Sequence, residues 1–151
     1  MLNPIPASPC RHACIDCGTN SVKLVVADLA DGGAAPVFQL SETTRIGEGM
    51  QANGMCLLEA PMRRTLDAIE KFAAAAKEYG AVETVLIGTA ALRDAHISAD
   101  FARRVQERCG LTLEIISGEE EARLSSDMND GQIPRSWNLW ISRLGAVNLD
   151  N

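Results

Sequence analysis

Cys14-Ile15-Asp16-Cys17-Gly18-Thr19-Asn20-Ser21-Val22-Lys23-Leu24-Val25-Val26 decides the fold of this chain. An apolar run ends at Asp16 and Cys17, a turn of small hydrogen-bonding residues follows, and an apolar run begins again. Val22, Leu24 and Val26 alternate with Lys23 and Val25, the two-residue period of a strand with one face clearly buried. The stretch therefore predicts two strands, 13–16 and 21–28, joined by a turn at Gly18–Ser21. Gly18 permits close approach of the backbone to a ligand. Successive N–H groups in such a turn, with the Thr19 and Ser21 hydroxyls, form a concave anion site. An acid at Asp16 beside an anion site makes sense if a hydrated divalent cation bridges the two. This is phosphate chemistry without a Walker-type helix.

Outward from that stretch, Asp31-Gly32-Gly33 signals a turn, and Pro36 to Ile46 reads as a third strand of an antiparallel meander. Gly47-Glu48-Gly49 and Ala52-Asn53-Gly54 break the chain. Met62, Leu66, Ile69, Phe72, Ala73 and Ala76 then recur at helical spacing, predicting a helix from about Leu58 to Tyr79. Pro61 is tolerated in its first turn and Gly80 ends it. Val82–Ile87 is a fourth strand and Leu92-Arg93-Asp94 opens a short helical stretch. Residues 98–108 form another helix, Leu111–Ile116 a fifth strand, and Glu119–Leu124 the start of a further helix. The order β-β-β-α-β-α-β-α is a mixed α/β sheet covered by helices.

The chain has 151 residues, long enough to bury about 70% of its unfolded surface. Apolar residues make up 46% and charged residues 23%, the composition of a soluble globular protein. A net charge of −6 leaves no basic surface for general DNA binding, so phosphate must be held locally by N–H groups, an arginine and a metal ion. No run of apolar residues is long enough to cross a membrane. Residues 1–12 are a Pro-rich leader without the blocks of a signal peptide, which places the protein in the cytoplasm with reduced thiols. Cys10, Cys14 and Cys17 have the C-x3-C-x2-C spacing of the iron–sulfur motif of radical S-adenosylmethionine enzymes. The plainer reading makes Cys14 and Cys17 small buried apolar residues. Cys56 and Cys109 fit no pattern.

Four blocks, Ile15–Ser21, Thr44–Gly49, Thr89–Ala95 and Ile116–Leu124, resemble in order and spacing the exopolyphosphatase/guanosine pentaphosphate phosphohydrolase (Ppx/GppA) family over residues 13–124. The resemblance implies the actin-like, ribonuclease-H-like fold and hydrolysis of terminal phosphoanhydride bonds in polyphosphate or guanosine pentaphosphate (pppGpp). It implies that Gly18, Thr19, Asn20 and Ser21 form the first phosphate loop and that Asp16 holds Mg2+ through water. Arg93 is then a phosphate ligand, and Glu120 the catalytic glutamate that positions or deprotonates the attacking water, with Glu121 as the alternative. On their own, the Glu119–Glu121 run reads as a solvated first helical turn and Arg93-Asp94 as a surface pair.

The second loop of that family, Asp-x-Gly-Gly-Gly-Ser, is missing, and residues 125–151 are expected to diverge from the family. A truncated or frameshifted product, a fragment and a stand-alone lobe are the three explanations. Each leads to the same expectation, that the chain alone has little phosphatase activity. A lobe with uncovered apolar surface would also associate as a homodimer. The competing function is a non-catalytic phosphate- or nucleotide-binding module.

Overall fold

A computed structural model describes residues 10–30, 33–96, 98–120 and 122. The strands form one five-stranded sheet: β1 (Cys10–Cys17), β2 (Ser21–Ala30), β3 (Gly33–Thr43), β4 (Glu83–Gly88) and β5 (Leu113–Ile115). The spatial order is β3-β2-β1-β4-β5. β1–β2 and β2–β3 pair antiparallel, which is the expected meander, whereas β1–β4 and β4–β5 pair parallel through helical crossovers. Helices α1 (Glu59–Glu78), α2 (Ala90–Asp94) and α3 (Ser98–Cys109) complete the element order, with a 3-10 turn at Gln51–Asn53 that the sequence pattern does not announce.

Alternation along β1 sorts the core onto two faces. Ala13, Ile15 and Cys17 join Val22, Leu24, Val26 and Leu86 under Leu66, Ile69 and Phe72 of α1 and Phe101 and Val105 of α3. Cys14 points the other way, to a smaller cluster with Ala27, Ile87 and Ile116. α1 is buried along Met62, Leu66, Ile69, Phe72 and Ala76, the stripe its periodicity predicts. It ends where Gly80 takes φ +83° and the Gly80 and Ala81 N–H groups bond the Lys77 and Ala76 carbonyls, at 2.9 and 3.0 Å.

Several boundaries differ from expectation, the starts of β1 and β3 among them. β1 begins at Cys10, so the leader ends sooner than residue 12. Arg11 makes a two-pronged ion pair with Asp28 of β2 (2.7 and 3.1 Å) and donates to the Tyr79 carbonyl (2.8 Å), while His12 is buried. These interactions couple distant segments, and local composition cannot report them. β3 begins at Gly33, ahead of Pro36. It is an edge strand, and its register slips opposite Val26/Ala27, where proline is tolerated. Residues 1–9, Asp31-Gly32 and the tail 125–151 lie outside the described residues. Among those described, no helix is long and apolar enough to cross a membrane.

Candidate active site

The parallel register brings the C-terminal ends of three strands together: Cys17 lies opposite Gly88, and Gly88 opposite Ile115. Open α/β sheets place ligands at this end of their parallel strands. Residues of all four quoted blocks meet here, through backbone hydrogen bonds and one from the Arg93 side chain.

The Gly18–Ser21 turn closes on itself, the Gly18 N–H donating to the Ser21 carbonyl at 3.0 Å. A Cβ on Gly18 would stand 3.1 Å from that same carbonyl. Gly18 is thus needed for the turn's own closure, and its N–H faces inward. The next two carbonyls are fixed by the second block: Thr44 and Arg45 N–H donate to the Asn20 carbonyl, both at 3.1 Å, and Gly47 N–H to that of Thr19 at 3.5 Å. In a trans peptide the N–H points opposite to the C=O. Pinning the Thr19 and Asn20 carbonyls toward Thr44–Gly47 therefore turns the Asn20 and Ser21 N–H groups away from that brace. Gly47 makes the fit possible, since a Cβ there would lie 3.0 Å from Thr19 Cγ2 and 3.4 Å from the Ala91 Cβ.

The third block docks on the first. Thr89 N–H donates to the Cys17 carbonyl (3.2 Å), with the buried Thr89 hydroxyl at 3.5 Å from the same oxygen. Arg93, in α2, donates from Nη1 to the Ile116 carbonyl at 3.0 Å, and Ile116 N–H donates to Gly88 at 3.0 Å. Ser117 then caps the helical turn that follows it, its Oγ accepting the Glu120 N–H at 3.2 Å. Ser-x-x-Glu is the capping-box pattern, in which the glutamate returns a bond to the serine N–H. That return bond is not among those formed by the described residues, which leaves the half-buried Glu120 carboxylate outside the cap. Glu121 lies outside the described residues.

Asp16 is half-buried one residue before the end of β1, with its Oδ1 shut off from solvent and its backbone between Lys23 and Ile87. Burial pushes the Cys14 and Cys17 thiols up, and the Asp16 charge adds to both. Among the described residues no three His, Cys, Asp or Glu side chains cluster as a metal cage. One carboxylate beside backbone and hydroxyl oxygens fits a hard, largely hydrated cation such as Mg2+. The iron–sulfur alternative does not survive the geometry. Cys14 and Cys17 lie on opposite faces of β1, both buried, and exposed Cys10 is at the far end of the strand, about 23 Å from Cys17 at the usual rise.

The model of the Ppx/GppA phosphatase family matches residues 25–128. The chain belongs to the Ppx/GppA phosphatase family. It is 32% identical over 141 residues to exopolyphosphatase 1 of Mycobacterium tuberculosis, covering 93% of this chain and 39% of that relative. It is 31% identical over 111 residues to a guanosine-5'-triphosphate,3'-diphosphate pyrophosphatase of Vibrio cholerae, covering 74% of this chain and 22% of the relative. The crystal structure of the Aquifex aeolicus family member superposes with a TM-score of 0.72 at 26% identity, over 78% of this chain and 38% of that one. The fold is thus the mixed α/β sheet of the actin-like class, and the chain spans about two fifths of the length of the mycobacterial relative. The similarity to that relative necessarily runs past Leu124, and the family match reaches residue 128. The expected abrupt end of resemblance at Leu124 is therefore corrected.

Of the residues singled out from sequence, Asp16, Gly18–Ser21 and Arg93 converge on this strand end, and Glu120 follows four residues after Ile116. Sequence reasoning missed Thr89 and Ser117, which anchor the loops, and gave no role to Thr44–Gly47. A Ser-x-x-Glu pattern before a helix was the available signal for Ser117.

Proposed function

We propose that this strand end is the phosphate-handling part of a site that hydrolyses terminal phosphoanhydride bonds, with inorganic polyphosphate or guanosine pentaphosphate as substrate. The observation that supports it most is the bracing of the Gly18–Ser21 turn from behind, which leaves outward N–H groups beside a carboxylate. The relatives named exopolyphosphatase and guanosine-5'-triphosphate,3'-diphosphate pyrophosphatase support the substrate class.

In this reading the turn binds a terminal phosphoryl through the N–H groups of Asn20 and Ser21 and the hydroxyls of Thr19 and Ser21. Arg93, whose Nη1 reaches the Ile116 carbonyl just past β5, orients the phosphate from that side, with the planar donor set suited to it. Glu120, held at a capped helix start but outside the cap, positions the attacking water and accepts its proton. Asp16 would hold Mg2+ through water, and the cation would neutralise charge developing on the phosphoryl oxygens. Burial of Cys14 and Cys17 on either side of Asp16 keeps the base of the site free of competing thiolate.

The test is hydrogen exchange of the chain with and without pyrophosphate and Mg2+, paired with an assay of phosphate release from polyphosphate. Slowed exchange at Asn20 and Ser21 is expected, with little release by this chain alone. Unchanged exchange there would end the phosphate-site reading, and rapid Mg2+-dependent release would show that the chain suffices for turnover. Slowed exchange with no turnover even in a complete relative carrying these residues would favour a non-catalytic phosphate-binding module.

A further inference from the structure

Two non-glycine residues of the described chain sit in the left-handed region, Arg45 at φ +50° and Met55 at φ +62°. That region costs an L-residue roughly 1–2 kcal/mol. Met55 has a return for it, because its half-buried side chain packs on the main core cluster. Arg45 has none inside the fold. It is exposed, and no described residue forms an ion pair or hydrogen bond with its side chain. The acid three residues away, Glu48, is the natural partner, but Arg64 of α1 takes it at 2.5 Å while donating to the Thr44 carbonyl at 3.1 Å. Arg64 thereby fixes the turn and neutralises its one acid, leaving the Arg45 charge uncompensated. The Arg45 N–H is bonded to the Asn20 carbonyl, so this cation springs from the immediate neighbour of the proposed phosphate turn.

An unpaired guanidinium held in strained backbone at a binding loop marks a ligand contact. We infer that Arg45 is a specificity-determining residue that grips the phosphate following the terminal one, so that the site selects condensed phosphates over orthophosphate. The inference rests on the reading of Gly18–Ser21 as the terminal-phosphate turn. It covers both sources of a phosphoanhydride chain, inorganic polyphosphate and a nucleoside polyphosphate.

The experiment is calorimetric titration of the full chain, in Mg2+, with orthophosphate, tripolyphosphate and GTP, alongside thermal unfolding. Arg45→Gly is the informative variant, because glycine adopts this backbone without strain and so preserves the turn. Its expected signature is an unchanged or raised Tm, a loss of about tenfold or more in tripolyphosphate and GTP affinity, and orthophosphate affinity within about twofold of wild type. Arg45→Lys should restore part of the loss. Met55→Gly should do the reverse, lowering Tm and leaving the preference intact. A preference that survives Arg45→Gly overturns the inference, as does equal loss for all three anions. Loss confined to GTP would assign Arg45 to the nucleoside and overturn it too. If the wild-type chain binds none of the anions, the phosphate-turn reading falls first and takes this inference with it.

Discussion

The α1–α3 seam and the loop end of the sheet use arginine in opposite ways. On the seam every arginine of α3 is matched: Arg103 with Asp100 and Glu107, Arg104 with Glu59 and Asp100, Arg108 with Asp67 and Glu70. At the loop end Arg45 has no partner among the described residues, and Arg93 spends a donor on a backbone carbonyl. Below the seam lies the main core cluster, with Phe72, Phe101 and Val105 fully buried. Below the loops lie backbone hydrogen bonds between turns. One region is built to hold together and the other to hold something.

The sharpest way to break that comparison is to remove the apolar layer under the seam. Phe101→Ala deletes a fully buried ring and should cost about 3–5 kcal/mol, read in urea unfolding. If the seam were held by its ion pairs instead, the loss would be far smaller.

Glycine sharpens the same contrast. Gly47, at the loop end, needs the absence of a Cβ, which would press on Thr19 and Ala91. Gly110, following α3, has open space around it but takes φ +69°. Gly47→Val should cost about 1–3 kcal/mol through overpacking and speed hydrogen exchange at the Thr44 and Arg45 amides, because it pries the brace off the turn. Gly110→Ala should cost about 1 kcal/mol by strain alone and leave those amides as they were. Equal exchange in the two variants would mean that Gly47 does not set the spacing of the loops.

The Arg11–Asp28 pair lies between these extremes, partly buried and two-pronged. The Arg11 guanidinium holds the Asp28 carboxyl below its usual range. An acid depressed in the fold stabilises above its unfolded pKa, about 3.9, and the contribution fades as pH falls through the lower folded value. Asp28→Asn should therefore lower the urea midpoint at pH 7, with the gap to wild type closing as pH drops below about 4. A gap that is constant down to pH 2 would assign the loss to packing rather than charge.

Most of the fold was legible because it is written in short periods. Val22, Leu24 and Val26 announce β2, and Leu66, Ile69 and Phe72 announce α1, each by local spacing. The loop end was legible in part. Asp16 and the Gly18–Ser21 turn stand out as residue types, but Arg45 does not, because its significance depends on Arg64, nineteen positions later, taking Glu48 away from it. The turn-closing bond of Gly18 was hidden for a related reason: a glycine in a turn looks the same whether it admits a ligand or its own chain's carbonyl. The start of β1 was hidden because Arg11 and His12 are polar, and only their cross-strand partners make them strand.

The smallest effect expected is at the seam's surface. Arg104 reaches Glu59 at 2.8 Å and Asp100 at 3.1 Å, so Arg104→Gln breaks two ion pairs at once. Both acids stay near water, where ordering a long side chain offsets most of the Coulomb attraction. Both carboxyls are held below their usual range by arginine, Glu59 mainly by its hydrogen bond from Arg104 and Asp100 first by Arg103. The substitution should therefore lift Glu59 more than Asp100, visible by NMR titration, while Tm falls by no more than a few degrees. High salt should erase that small fall. A fall comparable to that of Phe101→Ala would show the paired arginines, and not the rings beneath them, to be what joins α3 to α1.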